Sequence, residues 1–240
     1  MRVYSATNIG MKRKMNQDYV FASQTPVGNL PNLFAVADGM GGHNAGDYAS
    51  SHAVRILVDE IREDTDYNPV KVIRHAIETA NTEIIEQAQK DEKLRGMGTT
   101  MVVATIVGQY AYVANVGDSR CYLLREGELS RVTEDHTAVA ALLRQGLLTP
   151  EEAACHPDRH AITRAIGVEP EVQPDYTVID LKTGDALLLC SDGLYNALPP
   201  GELTEALQEV LRGADIHTMI NKANAAGGPD NITAVLMHNR

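Results

Sequence analysis

Cysteine is scarce in this chain. Cys121, Cys155 and Cys190 are an odd, widely separated set with no CxxC pair. That argues against a disulfide framework and against a cysteine zinc site, and it makes a reducing compartment the default. Basic blocks are missing too. The nearest is Lys12-Arg13-Lys14, and 21 Lys and Arg stand against 32 Asp and Glu, a formal charge of −11. Such a balance counts against bulk nucleic-acid binding, which runs on cations neutralising phosphates. No apolar run approaches the ~18 residues that a transmembrane helix needs. The opening MRVYSATNIG has no apolar stretch of the kind a signal peptide carries. Neither GxGxxG nor GxxxxGK(S/T) occurs, so neither nucleotide-binding loop is indicated. Together these absences point to a cytoplasmic protein that enters no membrane and binds no nucleic acid.

What remains is ordinary globular material, 44% hydrophobic and 22% charged. A chain of 240 residues buries roughly 70–75% of its unfolded surface and needs no staple to fold. No internal repeat, low-complexity tract or Pro/Ser-rich linker divides it, so one unit over residues 1–240 is the simplest organisation.

Both element types are legible. The apolar run 33–37 reads as a buried strand ending at Asp38-Gly39. Residues 44–62 carry Ala49, Ala53, Leu57 and Ile61 at four-residue spacing, one face of a helix. A second helix is expected over 69–90, with Pro69 suited to its first turn. Residues 99–107, 110–116 and 120–125 are β-rich and separated by turns, with a further hairpin at 126–128. Segment 136–155 reads as helical, and Thr149-Pro150-Glu151-Glu152 as a helix start. Strands follow at 176–180 and 186–191, helices at 201–212 and 215–225, and a last strand at 232–238. The elements come in blocks rather than in βαβ alternation, which favours α+β with antiparallel sheets.

Five aspartates fall at strand ends or tight turns: Asp18, Asp38, Asp118, Asp192 and Asp230. Any one of them could be a plain turn residue. As a set they suggest more, because an adjacent glycine lets backbone approach a ligand closely. Carboxylates gathered in one volume would repel and raise one another's pKa values. A hard divalent cation resolves that conflict, and oxygen-only ligands point to Mg²⁺ or Mn²⁺ rather than Zn²⁺.

Six motifs in order then resemble one family. They are Arg13-x-x-Asn16-Gln17-Asp18, Asp38-Gly39-Met40-Gly41-Gly42-His43, Gly98-Thr99-Thr100, Gly117-Asp118-Ser119-Arg120, Ser191-Asp192-Gly193-Leu194 and Gly228-Pro229-Asp230-Asn231. They resemble the metal-dependent serine/threonine protein phosphatases of type 2C, in the compact bacterial branch. The resemblance implies a four-layer αββα sandwich, two central antiparallel sheets flanked by helices. It implies that Asp38 bridges two ions, that the Gly39 carbonyl ligates one, and that Asp192 and Asp230 bind the other. Asp118, with Asp192, resembles the third-metal site of bacterial members. Asp18 and Asn231 would support the ions from behind. Arg13 would bind the substrate phosphate, a task suited to a guanidinium. His43 resembles the general acid of the family, although Met40-Gly41-Gly42 intervene before it here, and a structural role is the alternative. Residues 145–162 correspond to the variable flap beside the catalytic site.

The activity implied is hydrolysis of phosphoserine and phosphothreonine with two Mn²⁺ or Mg²⁺ ions and a third. The nucleophile would be water or hydroxide between the ions, with no phospho-enzyme. The partners implied are phosphoproteins, a cognate serine/threonine kinase and its substrates, and the chain is expected to act as a monomer. Two rivals are a non-catalytic metal- or phosphopeptide-binding module on the same scaffold and a two-metal nuclease. The acidic set with Arg13 argues against the first, and the charge of −11 against the second. A calcium loop at Asp64-x-Asp66-x-Asn68 is disfavoured, because Pro69 stands where Gly is needed and His75 where Glu is needed. His156 and His160 are four apart, but Pro157 between them weakens a helix and no third ligand is evident, so they read as surface histidines.

Overall fold

Pairing of the first and last strands brings the chain ends together, the last being buried along nearly its whole length. In the computed structural model, which describes residues 1–42 and 45–240, β1 (Arg2–Asn8) lies antiparallel to β11 (Ile232–His238). β10 (Ala186–Cys190), β7 (Arg120–Arg125) and β8 (Glu128–Arg131) complete this sheet in the order β1-β11-β10-β7-β8. The second sheet runs β2 (Asp18–Ser23), β3 (Leu33–Met40), β5 (Met101–Val107), β6 (Tyr110–Val116) and β9 (Asp175–Asp180), with β4 (Gly98–Thr99) paired to the end of β3. All these pairings are antiparallel.

Three apolar layers hold the stack. Phe34, Val36, Val102, Leu187, Leu189 and Val235 meet between the two sheets and are fully buried or nearly so. On the outer face of the second sheet, α1 (Ala45–Glu63) and α2 (Pro69–Lys90) press Leu57, Ile61, Ile73, Ile77 and Ile84 onto Ala35, Val103 and Val116. On the outer face of the first, α6 (Pro200–Leu211) and α7 (His217–Ala225) bury Leu203, Leu207, Val210 and Ile220 against Leu188 and Leu236. The architecture is the α+β, four-layer αββα sandwich. No helix among the described residues is long and apolar enough to cross a membrane.

Local chemistry sets the boundaries. Asn68 caps α2, accepting from the amides of Val70 and Lys71, and Pro69 fills the first turn. The segment expected to be helical over 136–155 forms two short helices, α3 (Ala138–Arg144) and α4 (Pro150–Ala154), the second starting at the Thr149 cap as expected. Gly146, at φ +68°, breaks it, and a reciprocal Thr149–Glu152 capping box restarts it. The strand expected to stop before Asp38 runs on to Met40, because Asp38 pairs with Asp18 and Gly39 with Thr99. The strand expected to reach Ser191 stops at Cys190, and Asp192 opens a helix, α5 (Asp192–Ala197).

Candidate active site

Asp38 is fixed through its backbone. Its amide donates to Thr100 Oγ1 at 3.1 Å, and its carbonyl accepts from the Thr100 amide at 2.9 Å and from Thr99 Oγ1 at 3.0 Å. The Gly98-Thr99-Thr100 motif is thus a clamp on Asp38. Thr100 Oγ1 also shares a 2.7 Å hydrogen bond with Ser119 Oγ, which ties Asp38 to the turn bearing Asp118. That turn depends on Gly117 at φ +98°, a region a side chain rarely adopts. Gly39 lets the start of α1 lie directly on the strand, since a Cβ there would overlap the Gly46 carbonyl.

The first sheet supplies the other half. Asp192 stands in the first turn of α5, where negative charge is favourable. Its Oδ2 accepts from Asn196 Nδ2 at 3.2 Å, while its buried Oδ1 has no partner. Asp230 immediately precedes Asn231 and β11, and its Oδ2 accepts from Arg13 Nη2 at 2.6 Å. Asn231 holds the loop that carries Arg13. Its Oδ1 accepts from the Gln17 amide at 2.8 Å, and its Nδ2 donates to the Ile9 and Met15 carbonyls, both at 2.9 Å.

These residues line one cavity of about 700 Å³. Arg13, Asp38, Gly39, Asp118, Asp192, Asp230 and Asn231 are all on its wall. Asp18 is not. It lies buried behind Asp38, its Oδ2 accepting from Ser191 Oγ at 2.7 Å and its Oδ1 left without a donor. His43 falls outside the described residues.

The electrostatics are those of crowded, desolvated carboxylates. Burial, then the charges of Asp18, Asp192, Asp118 and Asp230, push Asp38 well above the ordinary range. Burial, then Asp118 and Asp230, push Asp192 up to about 7. Burial raises Asp18 to about 6 against the pull of the Ser191 and Thr233 hydroxyls, and burial with Asp135 raises Asp118 to about 6. Asp230, by its hydrogen bond, holds Arg13 more firmly charged.

This donor set fits hard divalent cations. Two buried carboxylate oxygens lack any hydrogen-bond donor, which native interiors rarely tolerate. Among the described residues, no three His, Cys, Asp or Glu side chains stand close enough together to hold one ion alone. Each ion's shell would therefore be completed largely by water. That suits Mg²⁺, which keeps several waters and takes one or two carboxylates.

Sequence reasoning missed a second layer of polar residues. Arg120 grips Asp135 through Nε and Nη2 at 2.9 and 2.6 Å and lies over the Tyr195 ring, 3.5 Å from its centroid. The Tyr195 hydroxyl in turn donates to the Asp118 carbonyl at 3.1 Å. Arg120 is inside a quoted motif, yet its partners come from β10–α5 and the β8–α3 loop, and no local pattern announces them. His160 is exposed, as expected, but it and Arg159 also line the cavity. Cys190 is buried at the end of β10.

Comparison with known proteins gives a consistent picture. The family model described as protein phosphatase 2C matches residues 11–225. The serine/threonine phosphatase stp of Listeria monocytogenes is 43% identical, over 96% of this chain and 93% of that protein. The crystal structure of the S. agalactiae serine/threonine phosphatase superposes with a TM-score of 0.91 at 36% identity, covering 100% of this chain and 99% of that one. The catalytic domain of the serine/threonine protein phosphatase PstP, solved in complex with two manganese ions, superposes with a TM-score of 0.84 at 37% identity, covering 98% of this chain and 96% of that one.

Proposed function

The chain belongs to the protein phosphatase 2C family, and from that premise we propose that it is a Mg²⁺/Mn²⁺-dependent phosphoprotein phosphatase acting on phosphoserine and phosphothreonine. The observation that carries the reading is the meeting of Asp38, Asp118, Asp192 and Asp230 with Arg13 around a single cavity.

Each residue has a task in this reading. Asp38, with the Gly39 carbonyl, and Asp192 with Asp230 hold the two central ions, and Asp118 with Asp192 holds the third. Bound there, the ions would supply Lewis acidity, neutralising phosphate charge and lowering the pKa of bound water toward neutrality. Arg13 receives the phosphate. Only its Nη2 is committed, to Asp230, and half the side chain is exposed at the cavity mouth. Its remaining donors can pair with phosphate oxygens and stabilise the charge that grows on them during transfer. Asp18 supports from behind, its free Oδ1 placed to accept a proton-bearing group beside Asp38. His43 would protonate the leaving alkoxide. Thiol chemistry has no part here. Burial raises Cys121 and Cys190 far above neutrality, Cys190 to about 12, and Cys155 does not line the cavity.

In this reading the partners are phosphorylated proteins, a cognate serine/threonine kinase and its substrates, met by a monomer in the cytoplasm. Three free cysteines fit that compartment. The deciding experiment is phosphate release from a phosphothreonine peptide in Mn²⁺. Release should vanish in excess chelator and fall by several orders of magnitude in Asp38→Asn with the fold retained. Peptide and Mn²⁺ binding without release by the parent protein would instead identify a binding module.

A further inference from the structure

Beside the acidic cavity lies a second one of opposite character. Its volume is about 350 Å³, and it opens between the short helices α3 and α4 and the Tyr195 ring. The two cavities share Asp118, Arg159, His160 and Asn196 as walls, so they are continuous. The main cavity sets four aspartates against two arginines, whereas the side cavity sets three arginines against two aspartates.

The balance within the side cavity is uneven. Asp135 is already taken by Arg120 and, at 3.1 Å, by Arg131. Asp118 lines both cavities. Arg159 is exposed and forms no ion pair or side-chain hydrogen bond with any described residue. His160 adds no standing anion, and burial with the neighbouring Arg159 lowers its pKa. An uncompensated guanidinium at the junction of the two cavities is not the background of a chain carrying −11. Val139, Ala140 and Ala153 add apolar lining to the same cavity. A free cation and apolar lining in one cavity match a side chain that has both a carboxylate and a hydrocarbon stem.

We propose that this side cavity is a substrate subsite in which Arg159 pairs with an acidic side chain, best a glutamate, close in sequence to the phosphorylated residue. The proposal rests on the phosphatase reading above. Reach is adequate: in an extended peptide, residues two apart point to the same side about 6.6 Å from one another. The shared walls set the two cavities side by side, so such a pair of side chains is the arrangement the proposal requires.

The test uses the full chain with Mn²⁺ and a set of phosphothreonine peptides. All flanking positions are alanine except one glutamate, or one lysine, moved from three before to three after the phosphothreonine. At one position or more, glutamate should raise kcat/KM about 3- to 10-fold over alanine, mainly through KM, with the gain shrinking at high salt. Arg159→Lys should keep part of that gain, Arg159→Ala should abolish it, and Arg159→Glu should invert it so that lysine is preferred. Arg159 is exposed, so these variants should fold as the parent does, which circular dichroism checks. A glutamate gain that survives in Arg159→Ala and Arg159→Glu, or no glutamate gain at any position, would overturn the subsite alone. No phosphate release from any peptide would overturn the phosphatase reading and the subsite with it.

Discussion

Replacing Asp192 by asparagine should stabilise the metal-free protein while weakening its hold on ions. Asp192 has its pKa raised from 3.8 to about 7 by burial and by Asp118 and Asp230. The native state thus binds this proton more tightly than the unfolded chain does. The linked stability is fully present below about pH 4 and is lost as pH rises through 7. Three units correspond to roughly 4 kcal/mol as a ceiling. The cavity is open to solvent and the repulsion is shared with Asp118, Asp230 and Asp18, so about 2 kcal/mol is the expected cost at pH 8 for Asp192 alone. Asparagine carries no charge. Its Oδ1 can still accept from Asn196, and its amide can donate toward Asp38 where Asp192 Oδ1 had no partner.

Thermal melts in chelator, read by circular dichroism, give the measurement. At about 2–4 °C per kcal/mol for a chain this size, Asp192→Asn should melt about 4–8 °C above the parent at pH 8. Below about pH 4 the two should melt together, because Asp192 is then protonated in the folded and unfolded states alike, and at pH 5 part of the difference remains. The difference between the proteins cancels every other titrating group to first order. Millimolar Mn²⁺ should reverse the order, since ligand binding to the folded state stabilises the parent more. A metal-free variant that melts at or below the parent at pH 8 would refute the claim that these carboxylates strain the fold.

Three further outcomes follow from particular contacts. Arg13→Ala should lower kcat/KM on a phosphothreonine peptide about 10- to 100-fold and weaken inhibition by inorganic phosphate alongside; an unchanged phosphate inhibition constant would remove Arg13 from phosphate binding. Tyr195→Phe deletes the hydroxyl that holds the Asp118 carbonyl and should weaken the loosest Mn²⁺ site about 2- to 10-fold by calorimetry, and an isotherm identical to the parent's would dismiss this positioning role. Asn231→Ala leaves the Gln17 amide and the Ile9 and Met15 carbonyls without their partner, so urea denaturation should show a loss of about 2–4 kcal/mol, and a loss under about 0.5 kcal/mol would show that the loop is held by other means.

What the sequence made legible tracks the range of the forces involved. Helix α2 could be read end to end because Pro69 suits its first turn and Ile73, Ile77, Ala80 and Ile84 repeat on one face, all of them fully buried or nearly so. Strands β6, β7 and β11 were bounded by turn residues and matched residue for residue. The misses have partners far away in the chain. Asp38-Gly39 looks like a turn until Asp18 and Thr99 pair with it, and six-residue α5 is too short to show a period. The candidate site divides the same way. Its aspartates betray themselves by sitting beside chain reversals, whereas Tyr195 and Arg159 are unremarkable until the fold gives them neighbours. Local consistency also fails as a guide at this point for a physical reason. A sequence chosen only to fold would not place Asp38, Asp118, Asp192 and Asp230 around one cavity, with two buried carboxylate oxygens nearby left unsatisfied. The three apolar layers hold that arrangement against its own repulsion, and the ions it is suited to bind would relieve it.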